Sequence, residues 1–438
     1  MPDSSIEITN TYSEFDREPL ARPFGFKGGY LKEIWQTAVL MESGDFYGTG
    51  LGSQSVLWSE PRVFTTVSES AGNALMFAVT ERALQMVRGE SFRNPVELLD
   101  RILPELFDYA RQITGLKDVS KTFVLNALVA FDNAAWILYA RRNGITRFDD
   151  LIPGECRPAL STRQKRISSV PVATYNTDPA DVERLITEEG YFVVKFKLGA
   201  PGSQQEMLEQ DMAALERVHE RVGDVEVAYT EDGRLPYYLD PNGRYESRET
   251  VQKLLDHADK IGALDQILIL EEPFPEHLKI DVGDLGVTVA ADESAHTAEN
   301  VRERIGLGYG AIALKPIAKT LSMTFKMVQV AYENSIPCFC ADLTVNPILN
   351  DWNKNIASRL ETFPRLKETG LIEVNGHQNY RDWARMKSYH PTPGARWQHP
   401  EKGMFILDDD FYEQSGGILQ DSAHYLELLS AGRSGGSD

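Results

Sequence analysis

The rhythm of apolar and polar positions along the chain changes near Ser168. Before it, extended patterns come first: IEITNTY (6–12), EIWQTAVLMES (33–43) and DFYGTGLG (45–52), with Gly44-Asp45 as a turn between the last two. Helical patterns follow. Residues 70–89 end on Gly89, a helix stop. Residues 95–115 are amphipathic and interrupted by Pro104, and residues 122–144 are apolar nearly all round, which predicts burial. Strands followed by helices predict an α+β unit.

From Ser168 onward, short apolar strands alternate with helices. Strands are predicted at 168–175, 191–199, 225–229 or 236–240, 267–272, 287–294, 311–316, 337–343 and 371–376. Helical stretches such as 206–223, 247–262, 298–306 and 322–335 lie between them. Eight buried strands alternating with helices predict an α/β parallel barrel, whose active site is built on the strand C-termini.

The residues that close these apolar runs are unusually charged: Lys195 and Lys197, then Asp240, Glu271, Asp292, Lys315, Asp342 and Asn375. Asp240, Glu271 and Asp292 end three consecutive strands, so they converge on one side of the barrel mouth. Such a group of carboxylates needs a cation to stay ionised, and hard oxygen ligands suit Mg²⁺. Glu231 and Asp232 are rivals to Asp240, because an insert precedes the third strand. Glu272 alternates away from Glu271 and is expected to make a supporting contact. Lys197 and Lys315 end strands two and six, which face each other across an eight-stranded barrel. Lys195 shares the strand face of Lys197 and is expected to lower its pKa by like-charge repulsion. Asp342 reads either as a helix cap or as a substrate contact, and Asn375 either as a turn residue or as a contact. His277, His296 and His377 read as loop residues, since none has ligand spacing.

Composition narrows the partners. The 438 residues carry a formal charge of −20, against nucleic acid or an anionic membrane as partner. No stretch approaches a membrane span, and three cysteines make no disulfide framework, so a cytoplasmic location is expected.

KFK on strand two, DPNGRY on three, EEP on four, ADES on five and ALKP on six together resemble the enolase superfamily. Within it they are similar to the subgroup of muconate lactonizing enzyme and the dipeptide epimerases (the mandelate racemase/muconate lactonizing enzyme-like proteins). The resemblance implies a modified (β/α)8 TIM-type barrel, of (β/α)7β form, with an α+β capping domain. It places the cap at residues 1–165, the barrel at 166–390, and a segment of about 390–438 back on the cap. It implies Asp240, Glu271 and Asp292 as ligands of one Mg²⁺ per chain, which Mn²⁺ can replace. Lys197 and Lys315 become acid/base groups beside Lys195, with Asn242, Glu272 and Glu293 in support. A cap loop in RPFGFKGGYLKE would read the substrate through Phe24, Phe26 and Tyr30. A homo-oligomer is expected by the same analogy.

The implied chemistry is removal of the proton α to a carboxylate through an ene-diolate, with a lysine base and Mg²⁺ as in that superfamily. Two opposed lysines point first to a racemase or epimerase acting on a small carboxylate. The alternatives are a hydroxy-acid or acid-sugar dehydratase, a cycloisomerase, a Schiff-base aldolase using Lys315, and a non-catalytic binding barrel.

Overall fold

The computed structural model of the protein describes residues 5–26, 29–175 and 177–435. Its N-terminal part is an antiparallel sheet of Asn10–Phe26, Gly29–Ser43 and Phe46–Gln54, turning at Gly44 with φ +57°. IEITNTY is not one strand, because Ile6–Glu7 pairs with Ser91–Phe92 instead. The first two strands also run further than expected. Phe24 pairs with Leu31 and Gly25 with Tyr30, so the predicted loop is the end of a β arm. Aromatic residues favour the extended state there. Gly25 leaves room for the Tyr30 ring, which would lie 2.7 Å from a Cβ at that position.

Helices cover the other face of this sheet. Pro95–Thr114 continues through Pro104, whose missing N–H deprives only the carbonyl of Asp100, a residue open to solvent. The apolar run is buried as predicted, as Lys121–Ala127 and Val129–Arg142. The second of these lies directly on the strand Phe46–Gln54. A Cβ on Gly50 would stand 1.9 Å from the Ala130 carbonyl oxygen, and one on Gly48 2.1 Å from that of Ala134. The alternating glycines of FYGTGLG therefore serve close helix–strand approach.

The eight barrel strands are Arg166–Val170 with Val172–Ala173, Val194–Lys197, Tyr237–Asp240, Ile267–Glu271, Val289–Ala291, Ala311–Leu314, Cys338–Cys340 and Gly370–Glu373. Neighbours pair in parallel throughout. Pro171 splits the first strand. Its first half pairs with strand eight and its second with strand two, which closes the barrel. Residues 236–240 supply the third strand, and 225–229 form no strand. The interior is packed: Tyr238, Leu268, Ala290, Ala313, Phe339 and Leu371 form one buried cluster.

Helices connect the strands, with one exception among the described residues. The connection from Glu272 to Thr288 carries none, as Pro273, Pro275, Gly283 and Gly286 would predict. The end of the chain serves both parts. Met404–Ile406 pairs antiparallel with the first barrel strand, while Asp421 accepts from Tyr47 and Thr49 and His424 meets Asp16 at 2.7 Å. Among the described residues no single helix is long and apolar enough to cross a membrane.

Candidate active site at the barrel mouth

Each charged strand end now has a partner. Lys195 Nζ lies 2.8 Å from Asp240 Oδ2, 3.0 Å from Glu271 Oε1 and 3.0 Å from Glu373 Oε2. Lys197 Nζ shares the same Asp240 oxygen at 2.5 Å and donates to Asn242 Oδ1 at 2.9 Å. Across the mouth, Lys315 Nζ meets Asp292 Oδ2 at 2.5 Å. Lys319 Nζ donates to the Asp292 carbonyl at 2.7 Å and lies 3.3 Å from its Oδ1. Trp58 from the cap covers Lys315, with the ammonium 4.4 Å from its ring centroid. The Tyr238 hydroxyl donates to Glu271.

Parallel strands explain the convergence. In register, Lys197 stands opposite Asp240, and Glu271 follows the Leu270–Leu239 pair. Glu272 breaks the strand with φ +42°. Its carboxylate accepts from the Asp292 and Ser294 amides at 2.8 and 3.2 Å and from Ser294 Oγ at 3.0 Å, the supporting contact expected of it. Asn242 donates to Asp240 Oδ2 at 3.3 Å and to Glu293 Oε1 at 3.0 Å, linking the third strand end to the fifth.

Burial and charge compete at every group. Burial pushes Asp240 up, but the Lys195 and Lys197 ammoniums outweigh it and hold it at about 2. Burial likewise opposes Lys315 and Lys319 at Asp292, which is held well below the usual carboxylate range. Glu271 goes the other way: burial raises it to about 7 despite Lys195, with Asp292 adding to the rise. Burial and then Glu293 raise Glu272 to about 8. Lys195 rises well above its ordinary value, because Asp240, Glu271 and Glu373 overcome burial. Lys315 is also raised, since Asp292 overcomes burial. At Lys315 the Asp292 carboxylate therefore outweighs both burial and the more distant Lys195 ammonium. Carboxylates, not ammoniums, are its nearest neighbours. Lys319 is lowered by burial.

The structure brings most of the predicted residues together. Lys195, Lys197, Asn242, Asp292, Lys315, Asp342, Asn375 and Phe24 line one cavity of about 40 Å³ with Trp58 and Glu373. Asp342 does not cap the helix Pro347–Ala357; Asn346 does. Asp342 instead accepts from the Asn375 amide at 2.7 Å, and burial with nearby Glu373 raises it to about 7. Asn375 bonds Glu373 at 3.2 Å and Thr344 at 2.7 Å. Tyr30 is 67% exposed and lies outside this cavity, on an adjoining groove. The Phe26 side chain lies outside the described residues. Glu231 and Asp232 are corrected as rival ligands: they sit in an exposed turn, where Asp232 pairs with Arg365 at 3.5 Å. His296 is tied to Glu276 at 2.7 Å and Thr122 at 2.8 Å. Glu373, Lys319, Tyr238 and Trp58 were not singled out from the sequence.

The donor set suits a hard cation. Glu271, Asp292 and Glu293 each offer an oxygen within 4.8 Å of the others. Asp240 stands outside this trio and joins it through Asn242. A buried cluster of this kind is weak support for stability, because its desolvation is costly. It is the kind of cluster found at functional sites.

Residues 178–377 match the family described as Enolase C-terminal domain-like. Over that stretch, a little under half of its length, the chain is similar to the enolase family's C-terminal domain. No curated protein matches it in sequence. Several solved structures share its fold. A dipeptide epimerase from Enterococcus faecalis V583, complexed with Mg and the dipeptide L-Leu-L-Tyr, is 16% identical with a TM-score of 0.63, covering 92% of this chain and 98% of its own. An N-succinyl Arg/Lys racemase from Bacillus cereus ATCC 14579 is 16% identical with a TM-score of 0.61, covering 92% and 93%. A mandelate racemase/muconate lactonizing enzyme from Roseiflexus sp. is 15% identical with a TM-score of 0.65, covering 94% and 97%. At these identities the likeness is one of fold.

Proposed function

We propose that the protein is an enzyme of the isomerase class, a racemase or epimerase that inverts a carbon α to a carboxylate. One observation carries this reading. Lys197 and Lys315 line the same cavity, yet each is anchored by a different carboxylate, Asp240 and Asp292, on different strands. Binding alone needs no such pair.

In this reading Glu271 and Asp292, with Asp240 and Glu293 beside them, hold one Mg²⁺; dipeptide epimerases from Enterococcus faecalis and Cytophaga hutchinsonii were solved with Mg. The bound ion supplies positive charge beside the carboxylate oxygens that become an ene-diolate. The chain's own groups move the proton. An enantiomer bound with its α-hydrogen toward Lys197 loses it to that amine and regains one from the Lys315 ammonium. The opposite enantiomer runs the sequence in reverse. Lys195 stays charged between three carboxylates and holds Asp240 and Glu271 in place. Trp58 and Phe24 screen the cavity from water. A Schiff base at Lys315 is disfavoured, because it would leave the carboxylate cluster and the opposed Lys197 without a role.

We also propose that the chain divides near residue 165 into cap and barrel, the last segment returning to the cap. The experiment for the main reading is NMR of a set of chiral carboxylic acids in D₂O with Mg²⁺. Exchange of the α-proton with inversion supports it. Loss of a β-hydroxyl would make the enzyme a dehydratase, lactone formation would make it a cycloisomerase, and no exchange in any acid would reject it.

A further inference from the structure

Two large grooves flank the small cavity at the lysine pair, and they treat charge differently. One, of about 620 Å³, is lined by Glu60, Arg62, Glu276, Lys279, His296 and Arg304 among others. Its cations are committed: Arg62 to Glu60 and Asp118, Lys279 to Glu303, His296 to Glu276, and Arg304 to the Glu276 carbonyl. The other, of about 890 Å³, opens from Lys197 beneath the β arm and is lined by Tyr175, Arg217 and Arg244.

In this second groove it is the acids that are committed. Asp211 accepts from the Gly199 and Ala200 amides at 2.7 and 3.3 Å and from the Tyr245 hydroxyl at 2.6 Å. Glu206 caps its own helix through Ser203, and Glu209 accepts from Gln205 at 2.6 Å. Lys197 is held by Asp240 and Asn242. The guanidinium groups of Arg244 and Arg217 make no hydrogen bond or ion pair with the described residues. Arg244 acts on Asp211 and Tyr175 only through space.

Arg244 is half-buried, and a part-desolvated cation without a partner is costly. Its stem is nevertheless fixed. A Cβ on Gly199, where φ is +81°, would stand 2.7 Å from Arg244 Cγ and 2.9 Å from the Pro241 carbonyl oxygen. Glycine at 199 therefore gives the arginine stem its path beside Lys197.

We propose that this groove is a subsite for a second carboxylate, so that the substrate is a dianion with one acidic end at the lysine pair and the other on Arg244. This rests on the reading of Lys197 and Lys315 given above. Arginine suits the role, since its planar fork meets a carboxylate through two parallel hydrogen bonds. Arg217, on the exposed wall, adds field without a fixed contact.

The test uses two probes of equal length, N-succinyl-L-alanine and N-butyryl-L-alanine, which differ in a terminal carboxylate against a methyl. Calorimetric titration of the full chain with Mg²⁺ should show the succinyl compound binding about 10- to 100-fold more tightly, as expected for a charged hydrogen-bonded contact. Arg244→Met, which keeps the stem, should erase most of that ratio, and Arg244→Lys should keep part of it. A wild-type ratio near one overturns the proposal. So does an unchanged ratio in Arg244→Met with a native circular dichroism spectrum. α-Proton exchange of the same probes in D₂O separates the two readings. A strong succinyl preference without exchange rejects the acid/base reading alone, and exchange with equal affinities rejects the subsite alone.

Discussion

The two sides of the barrel mouth are built from the same parts and packed differently. On one side Lys197 shares Asp240 with Lys195; on the other Lys315 shares Asp292 with Lys319. Each candidate acid/base lysine is thus one of two ammoniums on one carboxylate. The Lys197 side chain is 14% exposed and borders the large groove, whereas that of Lys315 is 3% exposed and lies under Trp58. The Lys315 side is also pinned to the cap: Asp132 accepts from Ser322 N at 2.9 Å and Ser322 Oγ at 2.5 Å, in the first turn of the helix Leu321–Glu333 that follows Lys319. The difference separates two tasks. In the proposed reading the shared carboxylate device belongs to proton transfer, and the asymmetric surroundings belong to how a substrate enters and is held.

The largest expected effect breaks the device itself. Lys197→Ala and Lys315→Ala should each lower inversion by about 10²–10⁴-fold, and the double variant should lose little more, since the pair acts as a unit. Enantiomer interconversion followed by polarimetry checks this. Glu271 lies between the sides, so Glu271→Gln should affect both faces alike. Its Mg²⁺ affinity should fall on the order of 10²-fold by calorimetry while the fold persists. EDTA should abolish turnover and Mg²⁺ restore it; full activity in metal-free enzyme contradicts the metal assignment.

Smaller effects sharpen the contrast. Trp58→Ala should make the Lys315 side resemble the other and slow proton return from that face by about 10-fold, on the scale of a desolvated cation–π contact. Measured with both enantiomers, an equal loss on both faces contradicts the packing argument. Asp132→Asn should leave exchange nearly intact and change the pH dependence of stability. Burial raises Asp132 to about 7 in the folded protein, despite its Ser322 bonds. The folded state then retains a proton that the unfolded chain loses near pH 4. This contribution to stability is full below about pH 4 and is lost as pH rises to about 7. Asp132→Asn should flatten the melting temperature across that interval.

The strand-end chemistry was legible because each of Lys197, Asp240, Glu271, Asp292 and Lys315 closes an apolar run, and parallel register makes such residues neighbours. Glu373 was missed because LIEVNG reads on to Asn375, although the strand ends at the acid itself. The visible signal was a carboxylate between Ile372 and Val374, both buried. Lys319 escaped because a single turn, Pro316–Lys319, folds it back onto Asp292; a second lysine four residues on in an apolar stretch was the clue. The β arm was hidden by its glycines and proline, which read locally as a loop. Hairpin pairing of Phe24 with Leu31 and Gly25 with Tyr30, resumed after a register shift between Pro19 and Phe24, overrode that reading. The pKa directions were the least legible feature, since they depend on which carboxylate faces each ammonium.

The central claim is that Lys197 and Lys315 serve opposite faces of one carbon. Its most direct test is deuterium incorporation at the α-carbon of each enantiomer of an accepted acid, in D₂O with Mg²⁺, for wild type and the two alanine variants. The account predicts that Lys197→Ala loses exchange from one enantiomer and keeps it from the other, and that Lys315→Ala shows the mirror-image pattern. Exchange from both enantiomers unchanged within a few-fold in either variant, or lost from both together, would contradict it.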